Sequence, residues 1–272
     1  MLSRAVLAGS AWLMALTAAA AEGPTREATE TDALRICADP ASLPFSNQAE
    51  QGFENKIASL IAGELKRPLR YYWFPQSVGF VRNTLHLRQC DVISGIPTAQ
   101  DLVQNTNPYY RSVYVMVYRT GSNIKAVSVG DPALREMKVG VVAGTPPASL
   151  LARYGMLERV RPYDLVVDTR FDTPAKRAIE DVAAGEIDMA LIWGPIAGYY
   201  AKQQKTALTL VPLDNEPPDA RMDLHNTMAE RHGETEWKRQ LNDVLLKLEP
   251  KIAAILKEYS VPLLDAAGKP IP

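Results

Sequence analysis

Apolar positions along the chain change period several times. LRICA, Leu34 to Ala38, is a short apolar run with the length of a buried strand. From Phe53 the spacing becomes helical: FENKIASLIAGEL places Phe53, Ile57, Leu60, Ile61 and Leu65 on one stripe of an amphipathic helix. LRYYWF, Leu69 to Phe74, alternates as a strand does, VGFVRNTLHLRQ, Val78 to Gln89, returns to helix, and DVISG closes a β-α-β-α-β series. Such a series implies a parallel sheet with right-handed crossovers. SVYVMVYR, Ser112 to Arg119, is a strand with no helix after it, and a polar segment, GSNIKAVSVGDP, follows. Then the series restarts. MKVGVVAGT predicts a strand and turn, PPASLLARYG a helix opened by prolines, RPYDLVVD a strand, TPAKRAIEDVAAGE a helix and IDMALIWG a strand. MDLHNTM predicts a further strand, and EWKRQLNDVLLKLEPKIAAILKEYSVP one or two helices, with Pro250 placing a break near Glu249.

Each half begins with a strand and a turn, and each ends with a helix feeding an acidic residue and an apolar strand. The C-terminal helices have no third sheet to cover, so they return to the first half, with SVYVMVYR and MDLHNTM as the crossings. The expected fold is α/β and two-lobed, with a two-strand hinge and an interlobe cleft. Lobe one would span 22–117 plus 223–272, and lobe two 118–222. Ligands of open α/β sheets sit beyond the carboxyl ends of the strands. The loops PASLPFSN, FPQS, GIPTAQ, AGTPP and WGP are therefore expected to face the cleft.

Composition narrows the location and the class of partner. The N-terminus, MLSRAVLAGSAWLMALTAAAAEG, has Arg4 in a short basic start, an apolar run from Ala5 to Leu16 and small residues at Ala19, Ala20 and Ala21. This predicts a signal peptide over residues 1–21, cleaved before Glu22, and a periplasmic mature chain. Lys and Arg total 30 against 31 Asp and Glu, a net charge of −1 that gives no electrostatic case for nucleic acid. Cys37 and Cys90 are the two cysteines. Export favours a disulfide between them, while strands in register could hold their Cα atoms more than about 7 Å apart and leave two buried thiols. Both readings stay open. The absence of a CxxC or a Cys/His cluster argues against structural zinc, and His86, His225 and His232 are scattered without a metal spacing.

GFENKIASLIAGEL, CDVISGIP, NPYYRSVYVMVYR, VGVVAGTPPASLL, AAGEIDMALIWGPIAGYY and the closing ILKEYSVP resemble, in order, the type II periplasmic solute-binding proteins of the amino-acid receptor group. That resemblance implies the type II fold for nearly all of the mature chain. Receptors of that group carry an Arg soon after the third strand for the α-carboxylate, and an Asp in lobe two for the α-ammonium. Here GIPTAQDLVQNTN has no Arg, and Trp193 stands where the Asp is expected. A zwitterion in a desolvated cleft needs both partners, so a free amino acid is not the expected ligand.

A narrower resemblance lies in CADPASLPFSN with QGFENKIA, NTLHLRQCDV, NPYYRSVYVMVYR and WGPIAGYYA. These are similar to the binding-protein-like J components of the Mxa and Xox methanol dehydrogenase systems. The resemblance implies a non-enzymatic accessory role: assisting maturation or activation of a pyrroloquinoline quinone (PQQ)-dependent methanol dehydrogenase by contact. It implies no cofactor of the protein's own, a partner carrying PQQ and a metal ion, and contact with the partner's cytochrome c as a further expectation. The alternative is a solute-binding receptor of an ABC uptake system for a small molecule other than an amino acid.

Candidate cleft residues follow from the loops: Pro44, Phe45 and Asn47 in the first, Trp73 and Gln76 around FPQS, Thr98, Gly144 with Thr145, and Trp193. Tyr109, Tyr110, Phe53 and Phe74 complete an aromatic set near the strand ends, with Phe53 and Phe74 equally suited to packing inward. Gly144-Thr145 opens a helix, where backbone N–H groups attract an anion or Thr145 serves as an N-cap. Glu54 and Asn55 stand in an early helical turn, where they either face the cleft or, for Glu54, serve as a first-turn acid complementing the helix dipole. The sequence carries no readable Ser-His-Asp or Cys-His arrangement for catalysis.

Overall fold

The computed structural model describes residues 32–98 and 101–271. The expected leader lies outside them.

In chain order the elements are β1 Leu34–Ala38, β2 Ala41–Ser42, β3 Ser46–Asn47, α1 Phe53–Leu65, β4 Leu69–Trp73, α2 Phe80–Asn83, β5 Val92–Pro97, β6 Gln104–Asn105 and β7 Tyr110–Arg119. There follow β8 Val139–Val142, α3 Pro146–Arg153, β9 Val160–Tyr163, α4 Pro174–Ala184, β10 Met189–Trp193, α5 Gly194–Ala201, β11 Leu208–Pro212, β12 Asp223–Glu230 and α6 Thr235–Glu258. The main strand order is β4-β1-β5-β12-β7-β10-β8-β9, with β11 also pairing β7 and β6 pairing β12. The pairs β1–β4, β1–β5, β10–β8 and β8–β9 are parallel, as the two β-α-β series require.

β7 is shared. Its first residues pair with β12, Val113 opposite Asp223, and from Tyr114 onward it pairs with β10, Trp193 opposite Tyr114. The run YRSVYVMVYR is buried from Ser112 to Val117, which explains its near-continuous apolar character. Around it lie two cores. In one, Val115 and Val117 pack with Val141, Leu151, Ile179 and Leu191. The other joins β1 and the α1 stripe of Phe53, Ile57 and Ile61 to Trp237, Leu241, Leu248 and Ile252 of α6. The C-terminal helix thus returns to the first half. The pleat of β1 sends Leu34, Ile36 and Ala38 to that core and Cys37 to the opposite face, with Phe80, Leu85 and Ile93.

Four sequence expectations need correction. The helix expected over 78–89 is reduced to α2; Thr84 turns its hydroxyl back to Phe80 O at 2.7 Å, and Arg88 adopts a positive φ of 56°. The strand expected over RPYDLVVD ends at Tyr163, and Leu165 and Val166 stand exposed in the loop that follows. α6 runs unbroken through Pro250, because the carbonyl that Pro250 cannot pair belongs to Leu246, whose residue lies on the solvent face. β11 was not expected at all; its LTLVP run is half-buried and joins β7 as an edge.

Cys37 and Cys90 form a disulfide with Cα atoms 5.4 Å apart. Strand register would pair Cys37 with Ile93, but Cys90 precedes β5 and lies among the residues packed on the sheet face rather than in line with the strand. No helix among the described residues is long and apolar enough to cross a membrane.

Candidate functional site

All five loops expected at the cleft meet around one cavity of about 410 Å³. The first loop supplies Ala41, Ser42, Leu43 and Phe45, and Gln76, Gly95, Pro97, Thr145 and Trp193 come from the other four. Tyr110 and Tyr114 of β7 form part of the wall, and Tyr114 lies against Trp193 with ring centroids 5.1 Å apart, as their cross-strand pairing dictates.

The first loop is held from below by α1. Phe53 N–H donates to Pro44 O at 2.8 Å and Glu54 N–H to Phe45 O at 2.9 Å, so the orphan amides of the helix start fix the backbone beside the cis Leu43–Pro44 bond. The buried carboxylate of Asp39 ties three loops together. It accepts from Ala41 N at 2.8 Å, from Gln76 N at 2.6 Å and, across the cleft, from Thr169 Oγ1 at 2.7 and 2.9 Å. Tyr200 of α5 adds a second crossing, donating to Leu43 O at 3.1 Å.

Phe45, Gln76, Thr145 and Trp193 therefore stand where the sequence placed them, and Pro44 is in the same loop between two wall residues. Four other candidates do not form the wall. Trp73 is stacked on Tyr71, centroids 4.5 Å apart, because residues two apart on β4 share a face and that face covers the α1 core. Asn47 locks the turn before α1, accepting from Gln51 N at 2.8 Å and donating to Gln51 Oε1 at 3.0 Å. Thr98 is exposed, with its amide donated to His225 O at 3.1 Å. Gly144 supplies the left-handed turn, φ 76°, that delivers Thr145. Thr145 occupies the N-cap position of α3, yet its hydroxyl donates to Val142 O at 2.6 Å and caps no helix amide. In the wider aromatic set, Phe53 is core, Phe74 lies near Phe80 and the Tyr109 hydroxyl donates to Ser94 O.

Of the two readings the sequence left open for Glu54, the structure gives the cleft-facing one. Glu54 is 9 % exposed, lines the cavity, and accepts no hydrogen bond from the described residues. Burial, with the charge of Asp39 added, pushes its carboxyl up to about 8. Gly95 makes room for it: a Cβ there would overlap Glu54 Oε1. That missing side chain in DVISG was the signal available in the sequence. Asp164 and Asp172 line the other side of the cavity, and among the described residues no Lys, Arg or His does. Nor do the described residues gather three metal-ligating side chains anywhere. The wall offers aromatic faces and carboxylates, but no fork for an anion.

No family model matches the chain. "Protein MoxJ" of Methylorubrum extorquens is 31 % identical over 259 residues, covering 89 % of this chain and 86 % of the relative. The chain belongs to the MoxJ family. The MoxJ relative from Paracoccus denitrificans is 27 % identical over 256 residues, 88 % of this chain and 91 % of that protein. Among solved structures, the periplasmic binding protein XoxJ from Methylobacterium extorquens AM1 is 43 % identical, with a TM-score of 0.73 over 85 % of this chain and 99 % of that one. MxaJ from Methlophaga aminisulfidivorans MPT is 27 % identical, with a TM-score of 0.72 over 85 % and 100 %. The fold is that of the type II periplasmic binding proteins, and this MoxJ-family chain shares its two lobes and cleft.

Proposed function

We propose that this MoxJ-family protein is a non-enzymatic periplasmic accessory factor that docks on a PQQ-dependent methanol (alcohol) dehydrogenase and assists its maturation or activation. Export by a cleaved leader, residues 1–21, and division into lobes at 117/118 and 222/223 belong to the same proposal. So do a partner carrying PQQ and a metal ion, and contact with its cytochrome c.

One observation carries the docking part. The two loops that meet at Asp39 each carry an exposed large apolar side chain close in sequence to a cavity-lining residue: Val78, 86 % exposed, two residues beyond Gln76, and Phe171, 84 % exposed, two residues beyond Thr169. Leu165 and Val166 are also exposed on the second loop. Exposed large apolar side chains on loops that flank a cleft suit a protein contact surface. The test is to mix the mature chain with the dehydrogenase of its own organism, apo and PQQ-loaded, and to follow complex formation and dye-linked activity. The wild type is expected to bind or to raise activation, and the Val78→Ser/Phe171→Ser double variant to weaken the complex by at least about tenfold, the scale of losing apolar anchors. No interaction with either form would overturn the proposal.

The second reading, a solute-binding receptor of an ABC uptake system for a small molecule other than an amino acid, rests on the cleft cavity and the Thr169–Asp39 crossing, both of which suit a lobe closure around a small molecule.

A further inference from the structure

We propose that the cleft binds a small organic ammonium ion, a protonated or quaternary amine on an apolar body, with Glu54 facing its charge and the aromatic wall its body. The inference holds or fails on the isolated chain, whatever docks on the rim.

Three observations point to that chemistry. First, the cavity presents Glu54, Asp164 and Asp172 with no lining cation among the described residues, so an anionic ligand would meet only like charge. Asp172 is engaged by Arg177 at 2.9 Å and Asp164 is exposed, which leaves Glu54 as the buried acid without a partner. Second, the groups around Glu54 are acids and phenols: Asp39 from the loop after β1, Tyr71 from β4, Tyr109 from just before β7 and Tyr110 from its start. Asp39 is already satisfied by two amides and Thr169. A neutral apolar ligand would leave Glu54 buried and unpaired, whereas a cation supplies the partner that makes burial tolerable. Third, Tyr110, Tyr114, Trp193 and Phe45 share the same cavity, and aromatic faces attract ammonium groups. The volume, about 410 Å³, is that of a small-molecule site rather than a peptide groove.

Because the empty site favours the protonated acid, pairing with a cation releases that proton. Affinity should therefore rise about tenfold per pH unit through the range in which free Glu54 is protonated and bound Glu54 is not.

The test titrates the mature chain with benzylammonium, tetramethylammonium and 1,4-diaminobutane by calorimetry and tryptophan fluorescence, beside benzyl alcohol and benzoate as neutral and anionic counterparts. At pH 8 at least one ammonium should bind ten times or more tighter than benzyl alcohol, and benzoate should not bind. That affinity should fall about tenfold from pH 7 to pH 6, and Glu54→Gln, which keeps size and removes charge, should lose tenfold or more with the melting temperature not lowered. Trp193→Leu should also weaken the same ammonium. Failure of every ammonium to bind at millimolar concentration, equal binding of benzyl alcohol, or an affinity unchanged in Glu54→Gln would overturn the inference and leave the docking proposal standing.

Discussion

Thr169 and Asp39 join two loops across the cleft: the Thr169 hydroxyl lies 2.7 Å from one carboxylate oxygen of Asp39 and 2.9 Å from the other. Asp39 is 2 % exposed and belongs to the first lobe's loop, whereas Thr169 belongs to the loop between β9 and α4. The crossing can be broken without touching either core.

Thr169→Val keeps the shape of the side chain and removes the donor. It is expected to cost about 1.5–3 kcal/mol, the scale of a hydrogen bond to a charged group, and to shift the molecule toward an open form. Small-angle scattering checks this: an increased radius of gyration is expected in the variant, and identical profiles would contradict the role of the crossing.

Glu230 gives a pH prediction independent of the cleft. It is fully buried at the end of β12, neither carboxyl oxygen has a partner among the described residues, and burial, against the pull of Lys238, pushes its carboxyl up to about 8. Between the unfolded value near 4.5 and that folded value, the native state holds a proton that the unfolded chain has released. Stability therefore falls as pH rises through this window and levels off above it. Glu54 contributes in the same sense. Glu230→Gln should leave the urea midpoint unchanged near pH 4 and raise stability at pH 9 by about 1–3 kcal/mol, the cost of an unsatisfied buried group; an unaltered pH slope would refute the assignment.

Free amino acids should not raise the melting temperature. A zwitterion brings a carboxylate for which the described lining holds no cationic side chain, and the same lining carries three acids. A thermal shift that saturates with any of the common amino acids would contradict this.

Reduction of Cys37–Cys90 releases a loop with a sequence separation of 53. Chain entropy for that length predicts a loss of about 4 kcal/mol. Denaturant unfolding of the Cys37→Ala/Cys90→Ala variant measures it, and a change below about 1 kcal/mol would show that the bridge does not restrain the unfolded chain.

The parts legible in the sequence were those in which a local period coincides with a buried face. FENKIASLIAGEL became α1 residue for residue, since its stripe meets α6, and LRICA became β1. The loops around the cavity were legible for a topological reason, as all five lie beyond strand ends. Where an apolar pattern has no core to face, it misled. Leu165 and Val166 look like strand residues and stand in solvent, and Leu87 fits a helical stripe yet is 61 % exposed. Trp73 was misplaced because a strand's direction is readable but the choice between its two faces is set by the neighbours. Glu54 stayed ambiguous between cleft and helix dipole because its burial is decided far along the chain, by the absence of a side chain at Gly95.

β7 crosses the molecule as one uninterrupted strand, changing neighbours from β12 to β10 between Val113 and Tyr114. Tyr110 lies on one side of that change and Tyr114 on the other, and both line the cavity. Any bend of β7 at this point moves one tyrosine with each lobe and parts the aromatic wall. The hinge and the binding surface are the same stretch of backbone, so a guest spanning the two rings would act as a strut that sets the angle between the lobes.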